Sequence, residues 1–130
     1  MASRVEEMIV WQLCDALRKE VLRLADREVV RRDRRFEQDF THAAASAQRN
    51  VEEGFARYEP AEFRRFLRIA RGSLGEVRGH AADGIDRRFW SAADAEPAIE
   101  LARRASIAAV RLMRYLESAR APMGTKRPRV

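Results

Sequence analysis

Pro60 stands in the middle of residues 50–76, NVEEGFARYEPAEFRRFLRIARGSLGE, and limits what this chain can fold into more than any other residue. Proline disfavours helical geometry in the residue before it and suits the first position of a helix itself. One helix therefore ends at Tyr58-Glu59 and the next begins near Pro60. Beyond it Phe63, Phe66, Leu67, Ala70 and Leu74 recur at steps of three and four, the period of an amphipathic helix. Small residues (Gly54, Gly72, Ser73, Gly75, Gly79) lie close to this stripe, so the stretch reads as a helical packing hairpin around which the rest is arranged.

Helical periodicity covers most of the remaining chain. Over residues 4–28, Val5, Ile9, Leu13, Ala16, Leu17, Val21 and Leu24 mark one broad face with no Gly or Pro to interrupt it. Gln12 and Glu20 fall on that face, and Glu20 is expected to meet an Arg or a hydroxyl on another helix, because a buried carboxylate needs a partner. Met8, Trp11 and Leu22 form a second strip on the opposite side, a candidate oligomer interface. Residues 31–35 (RRDRR) read as a charged connection in which Asp33 caps a second helix running from residue 34 or 36 to 57. Phe36, Phe40, Ala43 or Ala44, Ala47, Val51 and Phe55 form its apolar side. The third helix is expected to stop at Asp83-Gly84, and Phe89 and Trp90 to close the end of the core from an irregular connection. Ser91 or Asp94 caps a fourth helix that reaches residue 119. The Asp94 cap would place Pro97 in its first turn. Apolar residues cover more than half of that helix's circumference, which predicts burial by its own bundle and by a neighbouring subunit.

No period-two strand pattern competes, so the predicted fold is all-α, an antiparallel up-down-up-down four-helix bundle over residues 1–119 followed by a disordered basic tail over 120–130. At 130 residues the chain can bury a core without cross-links, and its one cysteine, Cys14, reads as a packed thiol in a reducing, cytoplasmic setting. No apolar run is long enough to span a membrane. Twenty-six Lys and Arg stand against 20 Asp and Glu, a net +6. Four of those cations and no acid lie in residues 119–130, which leaves only +2 on residues 1–118. The distribution of charge matters more than its total. Candidate nucleic-acid contacts are Arg31, Arg32, Arg34 and Arg35 in the charged connection, Arg64, Arg68 and Arg71 as one stripe on the third helix, and Lys126, Arg127 and Arg129 in the tail.

Sites of chemistry are scarce. There is no glycine-rich phosphate loop, no cysteine pair with metal spacing and no nucleophile elbow. Asp39 and Val77 stand three residues before His42 and His80, where the Glu-x-x-His pattern of bundle metal sites would need Glu. The chain is accordingly expected to be no enzyme and to use no metal or cofactor. Ser46, Asn50, Glu53, Ser73 and Glu76 are expected to form a hydrogen-bonded polar layer that fixes helix register.

Asn50-Val51-Glu52-Glu53-Gly54-Phe55, Arg57, Glu62-Phe63, Phe66-Leu67-Arg68-Ile69-Ala70-Arg71-Gly72-Ser73-Leu74 and Glu76 resemble the Asn-Ile-Ala-Glu-Gly, Glu-Phe and Phe-Leu-x-Ile-Ala-x-Gly-Ser-Leu-x-Glu pattern of the four-helix bundle proteins named after ribosomal RNA intervening sequences. Ser46, Trp11 and Gln12 also look like family positions, and the resemblance covers most of residues 8–118. Arg34-Arg35-Phe36-Glu37 departs from the family's Phe-Gly-Leu-Thr-like start of the second helix, and Asp83-Gly84-Ile85-Asp86 from its Leu-Gly-Tyr-Ile. The resemblance implies an antiparallel bundle, a ring-shaped homopentamer, and kinship with the accessory variability determinant of diversity-generating retroelements, which binds nucleic acid and a reverse transcriptase. The expected function is thus a non-enzymatic homo-oligomeric module for RNA, DNA or a nucleic-acid-processing protein. A protein–protein scaffold or regulator without nucleic-acid contact is the alternative.

Overall fold

The computed structural model describes residues 4–5, 8–57 and 59–119. Among these the chain is all-α, with helices α1 (Ile9–Ala25), α2 (Glu28–Arg32), α3 (Arg34–Ala56), α4 (Pro60–Asp86) and α5 (Ala92–Ala119) and no strand. The helices α3 and α4 pack together, α5 packs on α4 and α1, and α1 closes against α3. The predicted tail, with Lys126, Arg127 and Arg129, lies outside the described residues.

The hairpin centred on Pro60 forms as its sequence predicts. Glu59 is extended with ψ 123°, and Pro60 occupies the first turn of α4, where its missing N–H costs nothing. Asp33 caps α3 by accepting the Phe36 backbone N–H at 3.1 Å. Where α3 and α4 meet, a Cβ on Gly54 would lie 2.7 Å from Phe63 Cδ1 and 3.0 Å from Phe66 Cβ, so glycine leaves the room these two phenylalanines occupy.

The first helix differs from its predicted face. Its buried stripe is Val10, Cys14, Leu17, Val21 and Leu24, at alternating steps of four and three, while Ile9 is 68% exposed and Gln12 is exposed. The wide apolar arc of α1 allows either centring, and packing against both α3 and α5 selects the narrower stripe. Glu20 pairs with Arg23 of its own helix at 2.9 Å rather than with another helix, since it sits at the rim, where an i, i+3 partner is within reach. Met8 is buried in the core of its own chain, which removes it from the expected outer strip. Cys14 is fully buried, and desolvation pushes its thiol up to about 12.

The first helix ends at Ala25, short of the expected residue 28, and a separate helical turn, α2, leads into the charged run that the sequence predicts as a plain connection. Arg27 stays extended with ψ 140° and its guanidinium reaches the Phe89 carbonyl at 3.2 Å and Asp94 Oδ2 at 2.7 Å. This anchors the break between α1 and α2 to the start of α5, and the turn that follows drives Val30 fully into the core. That burial supplies the driving force which the polar RRDRR run lacks.

Gly84 does not stop α4, which continues to Asp86. The stop is made by Arg88 in the left-handed region (φ 64°), with Phe89 N–H donating to the Gly84 carbonyl at 2.8 Å and Arg88 N–H to that of Ile85 at 3.0 Å, the pattern of a Schellman cap. Gly84 serves packing instead. The indole of Trp90 lies on the helix there, and a Cβ on residue 84 would come within 2.1 Å of Trp90 Cζ2. A flat, buried ring has no room to swing away. Gly84→Ala is therefore expected to destabilise the protein by about 1–3 kcal/mol despite alanine's better helix propensity, read as a lower urea midpoint at unchanged slope.

Ser91 is the cap of α5: its Oγ accepts the Asp94 N–H at 3.0 Å. Pro97 then falls inside the helix rather than in its first turn. The buried face of α5 is a run of alanines, Ala95, Ala98, Ala102, Ala105 and Ala109, extended by Leu116, and its other larger apolar residues flank that run. Ile107 (38%) and Tyr115 (52%) remain exposed. Small side chains on the seam let α5 lie close to α1 and α4 and push the bulkier ones outward.

Candidate nucleic-acid interface

Two arginine clusters were expected to meet a polyanion, and the fold treats them differently. In the first, Arg31 pairs with Asp26 at 3.2 Å, Arg32 with Glu28 at 3.2 Å and Arg35 with Asp39 at 3.3 Å, which leaves Arg34 alone without an ion pair among the described residues. Helical turns on both sides of Asp33 place acids one turn from Arg32 and Arg35, and the break between α1 and α2 brings Asp26 to Arg31. Much of the local field is thereby cancelled.

The second cluster is not cancelled. Arg64, Arg68 and Arg71 recur on α4 at steps of four and three, so they form one row about 10 Å long at 1.5 Å rise per residue. Across from them α5 contributes Arg111 and Arg114. None of these five guanidinium groups has an ion pair or hydrogen bond among the described residues. Together they border a groove of ≈ 320 Å³ floored by Val110 and Met113, with Glu117 at its edge, which runs on past Arg71 and Val110 into a second of ≈ 300 Å³ edged by Ser106 and Ile107. Two rows of cations over a low-dielectric floor focus a positive potential along the line between them. Each fork can also donate in the plane to a phosphate.

Arg111 and Arg114 were missed in the sequence. They lie in a helix whose apolar residues cover a broad arc, where periodicity draws attention to the buried side, and only the packing of α5 on α4 brings them opposite Arg71. The signal available was the i, i+3 spacing of the two arginines among neutral neighbours.

The polar layer forms in part. Ser46 Oγ and Ser73 Oγ are 3.0 Å apart across α3 and α4, and Asn50 Nδ2 donates to the Ser46 carbonyl at 2.8 Å and to its Oγ at 3.2 Å. Glu53 and Glu76 do not join it. Both are exposed, and Glu53 pairs with Arg57 at 2.8 Å one turn along its own helix. A second polar junction, absent from the sequence reading, links α1 to α3: Gln48 donates to Asp15 Oδ1 at 3.0 Å and accepts from Arg18 Nε at 2.9 Å. The Gln48 hydrogen bond, helped by Lys19 and Arg18, holds the Asp15 carboxyl below its usual range. The outer strip of α1 is reduced to Trp11, half-buried with its indole N–H on Glu52 at 2.8 Å, and Leu22, which is exposed.

A wider concavity, ≈ 550 Å³, lies between α1 and α3 and carries Arg18, Asp39 and His42 with Leu22 on its wall. Its charges are of both signs and do not converge on a point, so it offers less chemistry than the smaller arginine groove. The other histidine, His80, stands edge-on to Phe36 and Phe40, with ring centroids 5.5 and 6.2 Å away. Among the described residues no three His, Cys, Asp or Glu side chains gather as metal ligands, and no helix is long and apolar enough to cross a membrane.

No curated protein and no solved structure matches this chain. The family model described as 23S rRNA-intervening sequence protein matches residues 6–108, a span that contains all of α1 to α4 and more than half of α5, including the Ser46–Ser73 junction and the arginine row of α4. The chain belongs to the 23S rRNA-intervening sequence protein family.

Proposed function

We propose that this protein is a non-enzymatic, homo-oligomeric binding module, an up-down-up-down bundle whose α4–α5 face holds nucleic acid by its phosphates. The observation that carries this reading is the convergence of Arg64, Arg68, Arg71, Arg111 and Arg114 along two adjoining grooves, with one acid, Glu117, at the edge and no ion pair to any of the five among the described residues. Arginines held for stability alone would sit beside carboxylates, as Arg31, Arg32 and Arg35 do. The family name supports an RNA-related setting. The exposed apolar residues Ile9, Leu22 and Val29 support self-association. In a pentamer, the assembly that the family resemblance implies, five copies at +6 present a charge of about +30, which multiplies a modest field from each subunit.

Titration of the full chain with labelled RNA and DNA across about 50–200 mM salt tests this. The logarithm of affinity is expected to fall linearly with log salt, with a slope of about −3 to −4 for a single strand contacted by all five arginines. Absence of binding at low salt, or affinity that ignores salt, would sink the proposal. The second reading, a protein–protein scaffold, is favoured by the mixed-charge concavity beside exposed Leu22. A pull-down that survives nuclease treatment decides for it.

A further inference from the structure

We infer that the α4–α5 groove takes a single strand of nucleic acid, with Tyr115 as the platform on which an unpaired base stacks. This rests on the nucleic-acid reading above and adds the form of the ligand. Tyr115 is 52% exposed, makes no ring contact among the described residues, and stands four residues beyond Arg111 and next to Arg114. Residues four apart share a helix face, so the ring rises on the same ridge as the arginine fork. One turn the other way from Arg111 is Ile107, also exposed, at the rim of the groove with Arg71. The ridge therefore alternates apolar, cationic and aromatic side chains, Ile107, Arg111 and Tyr115, over about 12 Å.

A duplex cannot use such a ridge fully. Its phosphates could meet the arginines, but its base faces are stacked inside, and an exposed ring would gain nothing from them. In a single strand each nucleotide offers both a phosphate and a π-face, which is the combination of cationic track and aromatic platform that sequence-tolerant single-strand binders use. The groove also has no set of convergent carboxylates or amides for reading base edges, so the strand is held with little sequence preference. A second copy of the same face fits worse, because five unpaired arginines would meet five more across a two-fold interface.

The test compares a labelled single-stranded RNA of about 12 nucleotides with its blunt duplex, at low salt, on the full-length protein. Single strand is expected to bind about tenfold tighter than duplex. Tyr115→Ala should lose about tenfold for the single strand and leave duplex affinity unchanged, and Tyr115→Phe should retain both, since stacking needs the ring and not the hydroxyl. Sedimentation and thermal midpoint are measured for each variant. Equal binding of both forms, or a Tyr115→Ala variant indistinguishable from the parent, overturns the single-strand assignment while leaving phosphate binding in place. Loss of affinity together with an altered assembly state assigns Tyr115 to a subunit contact and overturns it as well. If neither form binds, the broader nucleic-acid reading falls with it.

Discussion

Trp90→Ala is expected to lower the unfolding free energy by about 3–5 kcal/mol, the cost of emptying a large aromatic site that cannot collapse. Trp90 is 4% exposed, and its ring centroid lies 5.3 Å from that of Phe40 and 5.9 Å from that of Phe36. Its indole N–H donates to the Ala81 carbonyl at 2.9 Å in a buried setting. Below the ring is Gly84, which has no side chain to move into the space. Phe36 is itself held by Phe89 (5.0 Å) and covered by the Arg87 guanidinium (5.3 Å), which is paired with Asp33 and Asp83. Neighbours held on all sides relax little, so most of the cavity persists. Trp11→Ala, on a half-buried residue whose hydrogen bond to Glu52 is exposed, should cost far less, about 1 kcal/mol or under. Chemical denaturation of both variants measures the contrast. A Trp90→Ala cost no larger than that of Trp11→Ala would show that the aromatic end is not a tightly packed part of the core.

Replacing Arg64, Arg68 and Arg71 together by Gln is expected to weaken single-strand binding by about 10²-fold at about 0.1 M salt. Each phosphate contact to a single strand contributes roughly 0.7 to the salt slope, so three fewer contacts flatten it by about 2. Stability should change little, because these are surface side chains without ion pairs among the described residues. The matched control is Arg31, Arg32 and Arg35 to Gln, which removes the same charge from a cluster already paired with Asp26, Glu28 and Asp39. If the control loses as much affinity as the groove variant, net charge rather than the groove governs binding.

The hairpin from Asn50 to Glu76 was legible because its determinants are local. Pro60 fixes a helix start wherever the chain places it, and Asp33 caps a helix through a bond spanning three residues. Determinants that depend on a distant neighbour were not legible. The exact face of α1 depends on two partner helices, the turn α2 exists because Val30 finds the core, and Gly84 is tolerated within α4 because Trp90, six residues on, folds back over it. The same division runs through the site. Arg64, Arg68 and Arg71 share a helix and could be read from their spacing, whereas Arg111 and Arg114 join them only across the α4–α5 contact. The polar layer split likewise: Ser46, Asn50 and Ser73 meet, and Glu53 and Glu76 face water.

The buried thiol of Cys14 makes the bundle its own stopwatch. With the sulfur at zero exposure and its ionisation pushed up to about 12, an alkylating reagent at neutral pH meets almost no thiolate while α1 stays docked. Modification must wait for an opening that frees the inner face of this helix, which packs on both α3 and α5. When reclosing outpaces reaction, the labelling rate then reports the free energy of that opening under native conditions, without denaturant and at the one cysteine the chain contains.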